Sequence, residues 1–369
     1  MNMKHQSTYL FRDILERVEV PVNVEPDKEY VQIGIRSHGK GLFYKEPVLG
    51  KALGNKQVFW IQPNCFILNV VFAWEQAITK TTENEIGMIG SHRFPMYRPK
   101  NDLVDIDYLI YYFLTKRGTD ILEAASPGGA GRNRTLGQER FLKSKITLPP
   151  LPEQQKIATI LSTQDKVIEL KEKLLVQKQQ QKKYLMQQLL TGKKRLSGFN
   201  EKWRFAKLEN VSKYSASAAS FKTYESHLGC GPYPVYDASG CFGNIDFYEN
   251  EQPYISIVKD GAGAGRVALC KEKSSTIGTL GCIFANDIDL LYLFYCMSAV
   301  DFQIYSNGST IPHVYYKDYK NMVLYLPCEL EQKAIVEILS AADHEIDLLQ
   351  KSIEAEKQKK KALMQLLLT

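Results

Sequence analysis

A stretch of this chain, Leu148–Thr191, recurs without a gap as Leu326–Thr369. Leu148-Pro149 returns as Leu326-Pro327, Glu153-Gln154 as Glu331-Gln332, Ile160-Leu161-Ser162 as Ile338-Leu339-Ser340, and Leu185-Met186-Gln187 as Leu363-Met364-Gln365. Each copy reads as one long helix. Prolines 149, 150 and 152 fit only at or before a first helical turn, and Gly192 suits the C-terminal cap of the first copy. Ile157, Leu161, Ile168, Leu175, Leu185 and Leu189 fall on the a and d positions of a heptad, and Ile335, Leu339, Ile346, Ile353, Leu363 and Leu367 match them. Gln164, Lys171, Lys178 and Lys182 interrupt the first seam, so that helix should pair poorly with itself and needs a particular partner. Its own repeat is the candidate. Residues 150–195 hold ten Lys/Arg against four Asp/Glu, whereas residues 328–369 hold six Lys against eight Asp/Glu. The two helices should therefore attract.

Domains of a chain often have their termini close together. A helix entering the second domain and one leaving it then start from nearly one place and run antiparallel. At 1.5 Å per residue such a helix is on the order of 55–60 Å long, which sets an upper bound on the separation of the domains it joins.

The globular parts are duplicated as well. DIDYLIYYFL from Asp105 opens with acids, as helix N-termini favour, and is too apolar for a surface helix; DIDLLYLFYCM from Asp287 repeats it. Glycine-rich polar stretches follow, SPGGAGRNR from Ser126 and SNGSTIPHV from Ser306, and then the proline that opens each long helix. Tyr30–Ile35, Val58–Ile61 and Phe66–Phe72 read as short strands, rich in β-branched and aromatic residues. The expected architecture is α+β. It comprises two similar mixed domains, residues 1–147 and 197–325, separated by two long antiparallel coiled-coil helices, 148–196 and 326–369, as a pseudo-two-fold internal repeat.

With 44% hydrophobic and 24% charged residues, the 369-residue chain can build two or three modest cores. Its N-terminal segment lacks an apolar signal core, and its longest apolar runs, near Phe66–Trp74 and Leu290–Val300, are too short to span a bilayer, so cytoplasm is the expectation. Seven cysteines, none spaced C-x-x-C, read as reduced packing residues, and six scattered histidines give no metal centre. The net charge of +6 is a mild hint of nucleic acid, but the first helix supplies that excess by itself, so another subunit is expected to share the phosphate contacts.

Three stretches imitate catalytic motifs and fail. Gly34–Gly41 has P-loop spacing, but Gly41 stands where the magnesium-binding hydroxyl belongs. Asp260–Arg266, DGAGAGR, spaces its glycines wrongly for a dinucleotide and reads as a tight loop approaching a phosphate or base. Pro327-Cys328 resembles a methyltransferase nucleophile, yet the first copy has Pro149-Pro150 there.

Together, LPPLPEQQKIATIL with YLMQQLLTGKKRL, their second copies, and YPVYDASG, YISIVKDGAGAGRV and SNGST resemble the specificity subunit of type I restriction–modification systems. That resemblance implies two target-recognition domains, each reading one half of a bipartite, asymmetric site in double-stranded DNA, on helices that set the spacer. It implies a subunit that catalyses nothing and binds no cofactor. Two methyltransferase subunits would dock on it, bringing S-adenosylmethionine for adenine methylation, and restriction–translocase subunits would bring ATP and magnesium. The alternative is a coiled-coil scaffold that binds no DNA; a fused enzyme is disfavoured by the missing motifs. Candidate DNA-binding residues are loop cations and polar groups suited to base edges and phosphates. They are Ser91, His92, Arg93, Arg98, Arg132, Asn133 and Arg134 in the first domain, and Tyr236, Ser239, Lys259, Arg266, Asn307, Ser309, Thr310 and His313 in the second.

A ruler can be lengthened. One heptad inserted after Gln177 and a matching one after Ala355 keep the apolar seam and add about 10 Å, or about three base pairs at roughly 3.4 Å each. Methylation measured on sites whose spacers vary by single base pairs should then weaken on the original spacer and favour a longer one. Full activity on the original spacer alone would end the idea that the helices set the distance.

Overall fold

The computed structural model describes residues 6–54, 57–128, 134–308 and 311–368. Its contacts divide the chain into two compact units, Met1–Leu170 with Ile353–Thr369, and Lys171–Ser352. Each unit holds one β-rich domain and half of each long helix, Leu151–Leu189 and Glu329–Leu367.

In the first unit a four-stranded antiparallel sheet is ordered Leu15–Val18, Met96–Pro99, Phe66–Leu68, Ile78–Lys80. In the second the order is Ser212–Ser215, Leu280–Ala285, Tyr254–Val258, Val267–Cys270. Counting strands along each chain segment, both sheets run first, fourth, second, third. The duplication is therefore one of fold as well as of helix. A two-stranded ladder closes each domain beside its outgoing helix, Ser7–Leu10 with Lys145–Leu148 and Arg204–Lys207 with Val323–Leu326.

The strands are shorter than their composition suggests. Tyr30–Ile35 breaks into Glu29–Tyr30 and Ile33–Ile35, which join different ladders. Phe66–Phe72 stops at Leu68, because Asn69 turns the chain: its side chain accepts from the Val71 N–H at 3.0 Å, and its carbonyl accepts from Phe72. The P-loop imitation is a hairpin, Ile33–Ile35 to Leu42–Tyr44, whose turn holds His38, Gly39 and Gly41 at positive φ. Cys65, Cys270, Cys282 and Cys296 are buried, while Cys230 and Cys241 are exposed. Burial pushes the Cys282 and Cys296 thiols up to about 11 and about 12, which keeps them protonated.

Both buried helices form where expected, but their caps correct the sequence alignment. Asp105 caps Ile106–Phe113, its carboxylate accepting from the Tyr108 N–H at 2.8 Å. The counterpart cap is Asp289, accepting from Tyr292 at 2.9 Å, two residues beyond the Asp287 that the repeated D-I-D suggests. Asp287 lies in the preceding loop at φ 56°.

A glutamine in the first turn of each long helix locks that cap in place. Gln154 is fully buried, and Gln332 is 4% exposed. Gln154 Oε1 accepts from the Asp105 N–H at 2.9 Å, while its Nε2 donates to the carbonyls of Pro149 at 2.8 Å and Leu103 at 3.0 Å. Gln332 repeats this with the Asp289 N–H at 2.9 Å and the Pro327 carbonyl at 3.0 Å.

A second duplicated contact crosses the helix pair within each unit. In the first, the Tyr111 hydroxyl donates to Asp165 at 2.8 Å, and Lys360 of the other helix pairs with Asp165 while lying 5.7 Å over the Tyr111 ring. In the second, Tyr295 donates to Asp343 at 2.9 Å, and Lys182 pairs with Asp343 and lies 5.5 Å over Tyr295. Burial, reinforced by the Asp165 bond, pushes the Tyr111 phenol up, so it stays a donor.

These pairings make the helices antiparallel in each unit. The polar seam residues all find partners: Gln164 donates to Glu356 at 2.7 Å, Lys171 to Ser352 at 2.8 Å, and Lys178 pairs with Glu345 at 2.7 Å. Ile157, Leu161, Ile168, Leu189, Ile335, Leu339 and Ile353 are buried, whereas Leu175, Leu185, Ile346, Leu363 and Leu367 are half-buried. The register also shows that Gln177 and Ala355 are repeat equivalents rather than facing positions. Insertions after Leu174 and Leu348 leave every one of these polar pairs intact and are the better test of the ruler.

Replacing Gln154 by Leu keeps the volume but orphans the Asp105 N–H and two carbonyls. At about 1–3 kcal/mol per buried unsatisfied group, discounted for relaxation, Gln154→Leu and Gln332→Leu should each cost about 2–5 kcal/mol in urea unfolding. A loss under about 0.5 kcal/mol would remove the glutamines from this role.

Candidate nucleic-acid interface

The first unit gathers its candidates around the segment Val70–Trp74. The Val70 N–H donates to the Arg93 carbonyl at 3.0 Å, and the Leu136 N–H donates to the Val70 carbonyl at 2.8 Å. Two separate loops thereby flank one segment. On one side Ser91, His92 and Arg93 form a turn closed by the Phe94 N–H on the Ser91 carbonyl at 2.9 Å, with His92 and Arg93 exposed. On the other, the Arg134 guanidinium lies 5.5 Å over the Trp74 ring, whose Nε1–H is held by the Val71 carbonyl at 3.1 Å. Arg98 stands apart, exposed on the strand Met96–Pro99 opposite Glu16. Arg132 and Asn133 lie outside the described residues.

The second unit links its candidates through three loops. Asp260–Arg266 connects two strands, Tyr254–Val258 and Val267–Cys270, as a tight turn with Gly261 and Gly265 at φ 95° and 87°. At Gly265 a Cβ would stand 2.4 Å from Phe302 Cβ, so only glycine fits the close approach. Against this turn lies the hairpin of Ser306–Asn307 and His313–Val314, which places Asn307 opposite His313. Lys259 and His313 are half-exposed, and Arg266 and Asn307 are exposed. Arg266 also donates to the Ala238 carbonyl, tying the turn to the third loop, between Tyr236 and Ser239.

Several candidates are committed to local structure. Ser239 sits in a turn built on Asp237, whose Oδ1 accepts from its N–H at 2.7 Å and its hydroxyl at 2.6 Å. Tyr236 packs beside the core of Tyr254, Cys270 and Cys282. Asn307 donates to Asp318 at 3.0 Å. Ser309 and Thr310 lie outside the described residues.

Sequence reasoning passed over Tyr315 and Lys317 here, and took Asp260 only as the start of the glycine turn. Asp260 Oδ1 lies 2.7 Å from His313 Nδ1. Tyr315, 41% exposed, stacks parallel to His313, and Lys317 Nζ lies 5.5 Å from the Tyr315 centroid. The alternation around buried Val314 could have pointed to Tyr315; the Asp260 contact joins loops 53 residues apart and has no local signal. Loop cations and polar groups set on a rigid β scaffold suit contacts to phosphates and base edges. Among the described residues no group of three or more His, Cys, Asp or Glu side chains is placed to hold a metal ion, and no helix is long and apolar enough to cross a membrane.

Comparison with known proteins follows the same duplication. A putative type I restriction enzyme specificity subunit of Methanocaldococcus jannaschii is 27% identical over 299 residues, 74% of this chain and 70% of the relative. A second specificity subunit of that organism is 26% identical over 310 residues, 73% of this chain and 71% of the relative. The S subunit of a type I restriction–modification system from M. genitalium shares the fold with a TM-score of 0.63 at 14% identity, covering 100% of this chain and 97% of that one. The HsdS subunit from Thermoanaerobacter tengcongensis does so with a TM-score of 0.54 at 18% identity, covering 98% of this chain and 96% of that one. The family described as type I restriction modification DNA specificity domain matches residues 25–179 and again 200–357, each match taking in a β-rich domain and part of its helix, which a bare coiled-coil scaffold would not give. The chain belongs to that family and carries its domain twice.

Proposed function

We propose that this chain reads double-stranded DNA for a type I restriction–modification complex, the domain of residues 1–147 taking one half of a bipartite site and that of residues 197–325 the other. The observation that carries this reading is the contrast between frame and loops. Both units repeat one strand order, one glutamine lock and one Tyr–Asp–Lys contact. Among the described residues their candidate loops differ: Arg134 lies over Trp74 in the first, whereas a glycine turn is tied to Pro312 and Val314 in the second. A repeated frame with dissimilar reading surfaces is what an asymmetric bipartite sequence on opposite strands requires.

The helices, residues 148–196 and 326–369, set the spacer and dock two methyltransferase subunits, with restriction–translocase subunits completing the complex in the cytoplasm. S-adenosylmethionine, ATP and magnesium belong to those partners. The chain itself catalyses nothing. In support, the two glycine loops with nucleotide-like spacing, Gly34–Gly41 and Asp260–Arg266, join strand to strand rather than strand to helix as a phosphate cradle does.

Exchanging residues 197–325 for the equivalent segment of a relative should change one half of the methylated motif in a methylome and leave the other half and the spacer alone; change in both halves would refute independent reading. The purified chain, free of partners, should neither bind S-adenosylmethionine in calorimetry nor methylate or cut DNA. Turnover by the single subunit would overturn its assignment as non-catalytic.

A further inference from the structure

In the second unit the segment from Pro312 is fastened to the glycine turn by its backbone. The Gly261 N–H donates to the Pro312 carbonyl at 3.0 Å, the Val314 N–H to the Lys259 carbonyl at 2.8 Å, and Asp260 and His313 form a backbone bridge. Val314 is buried, so His313 and Tyr315 on either side of it face outward. Their rings lie parallel, 5.8 Å between centroids, and Lys317 Nζ lies 5.5 Å from the Tyr315 centroid. An imidazole, a phenol and an ammonium are thus neighbours on one edge.

The Asp260 carboxylate decides what the imidazole offers. With Nδ1 2.7 Å from Asp260 Oδ1, the Nδ1–H is committed to that oxygen. Nε2 is the remaining nitrogen, on a side chain 33% exposed, and in the neutral imidazole whose proton sits on Nδ1 it is an acceptor. Exposed amino groups in the major groove are those of adenine N6 and cytosine N4. An ammonium nearby matches a phosphate.

We propose that His313 reads one base of the second half-site through the amino group of an adenine or cytosine, with Asp260 as its positioning residue and Lys317 on a neighbouring phosphate. This rests on the second domain reading DNA.

The test uses the full complex. In a methylome, His313→Ala and His313→Gln should make one position in the second half of the motif degenerate, reducing discrimination there by roughly 5- to 150-fold, as expected for a base contact of about 1–3 kcal/mol. Asp260→Ala should loosen the same position less. Lys317→Ala should keep the motif, weaken binding alike on all sequences and reduce the salt slope by about one. An unchanged motif in a His313 variant that still methylates would overturn the proposal, as would a different position affected by Asp260→Ala or an altered motif with Lys317→Ala. Failure of both His313 variants to co-purify with the methyltransferase would make His313 structural and overturn it too. If exchange of residues 197–325 changes the second half-site while the His313 variants do not, this inference falls and the half-site reading stands; if the exchange changes nothing, both fall.

Discussion

A primary amide taken out of water has to satisfy its oxygen and both of its N–H groups, because each orphan costs as much as several good contacts return. Gln154 meets that demand in full, and Gln332 with its oxygen and one N–H, at the junction where a domain ends, a long helix begins and a buried helix is capped. The geometry of three elements is thereby set by one side chain. In the first core that capped helix ends in Phe113, which stacks on Phe11, itself stacked on Phe141.

The helix seam follows a related logic. A lysine at a seam position is costly unless it meets a fixed anion, and Lys182 and Lys360 each meet an aspartate that a tyrosine already holds. Hydrophobic packing alone tolerates several registers of two such helices. The polar pairs admit one, and they give up some stability for that choice.

Sequence legibility tracked how local each cause was. The repeat, the apolar seam and the buried helices are periodic patterns and could be read directly, as could the need of Lys171, Lys178 and Lys182 for partners. Gln154 and Gln332 could not, since nothing in a glutamine after a glutamate announces burial; tertiary packing does that. The second cap falls at Asp289 and not at Asp287, the counterpart of Asp105 in the sequence repeat, because two aspartates flank one isoleucine and either could start the helix. At the interface, residue type located the loops but not their internal commitments: Ser239 and Arg266 read as free polar groups, yet one is bound into its own turn and the other braces a neighbouring loop. Asp260 entered that reading only as the first residue of the glycine turn, since its partner His313 lies 53 residues away.

The Tyr–Asp–Lys contact has a consequence for a chain of half the length, holding one domain and one helix. Each copy of the helix carries both halves of the contact, Asp165 with Lys182 in the first and Asp343 with Lys360 in the second. Two such shortened chains lying antiparallel therefore bring each aspartate to the other's lysine and rebuild both contacts. The Lys178–Glu345 pair is lost if the first copy survives, since Val167 stands where Glu345 was. A pair of identical half-length chains would carry one domain twice, with the two-fold symmetry that a palindromic site has.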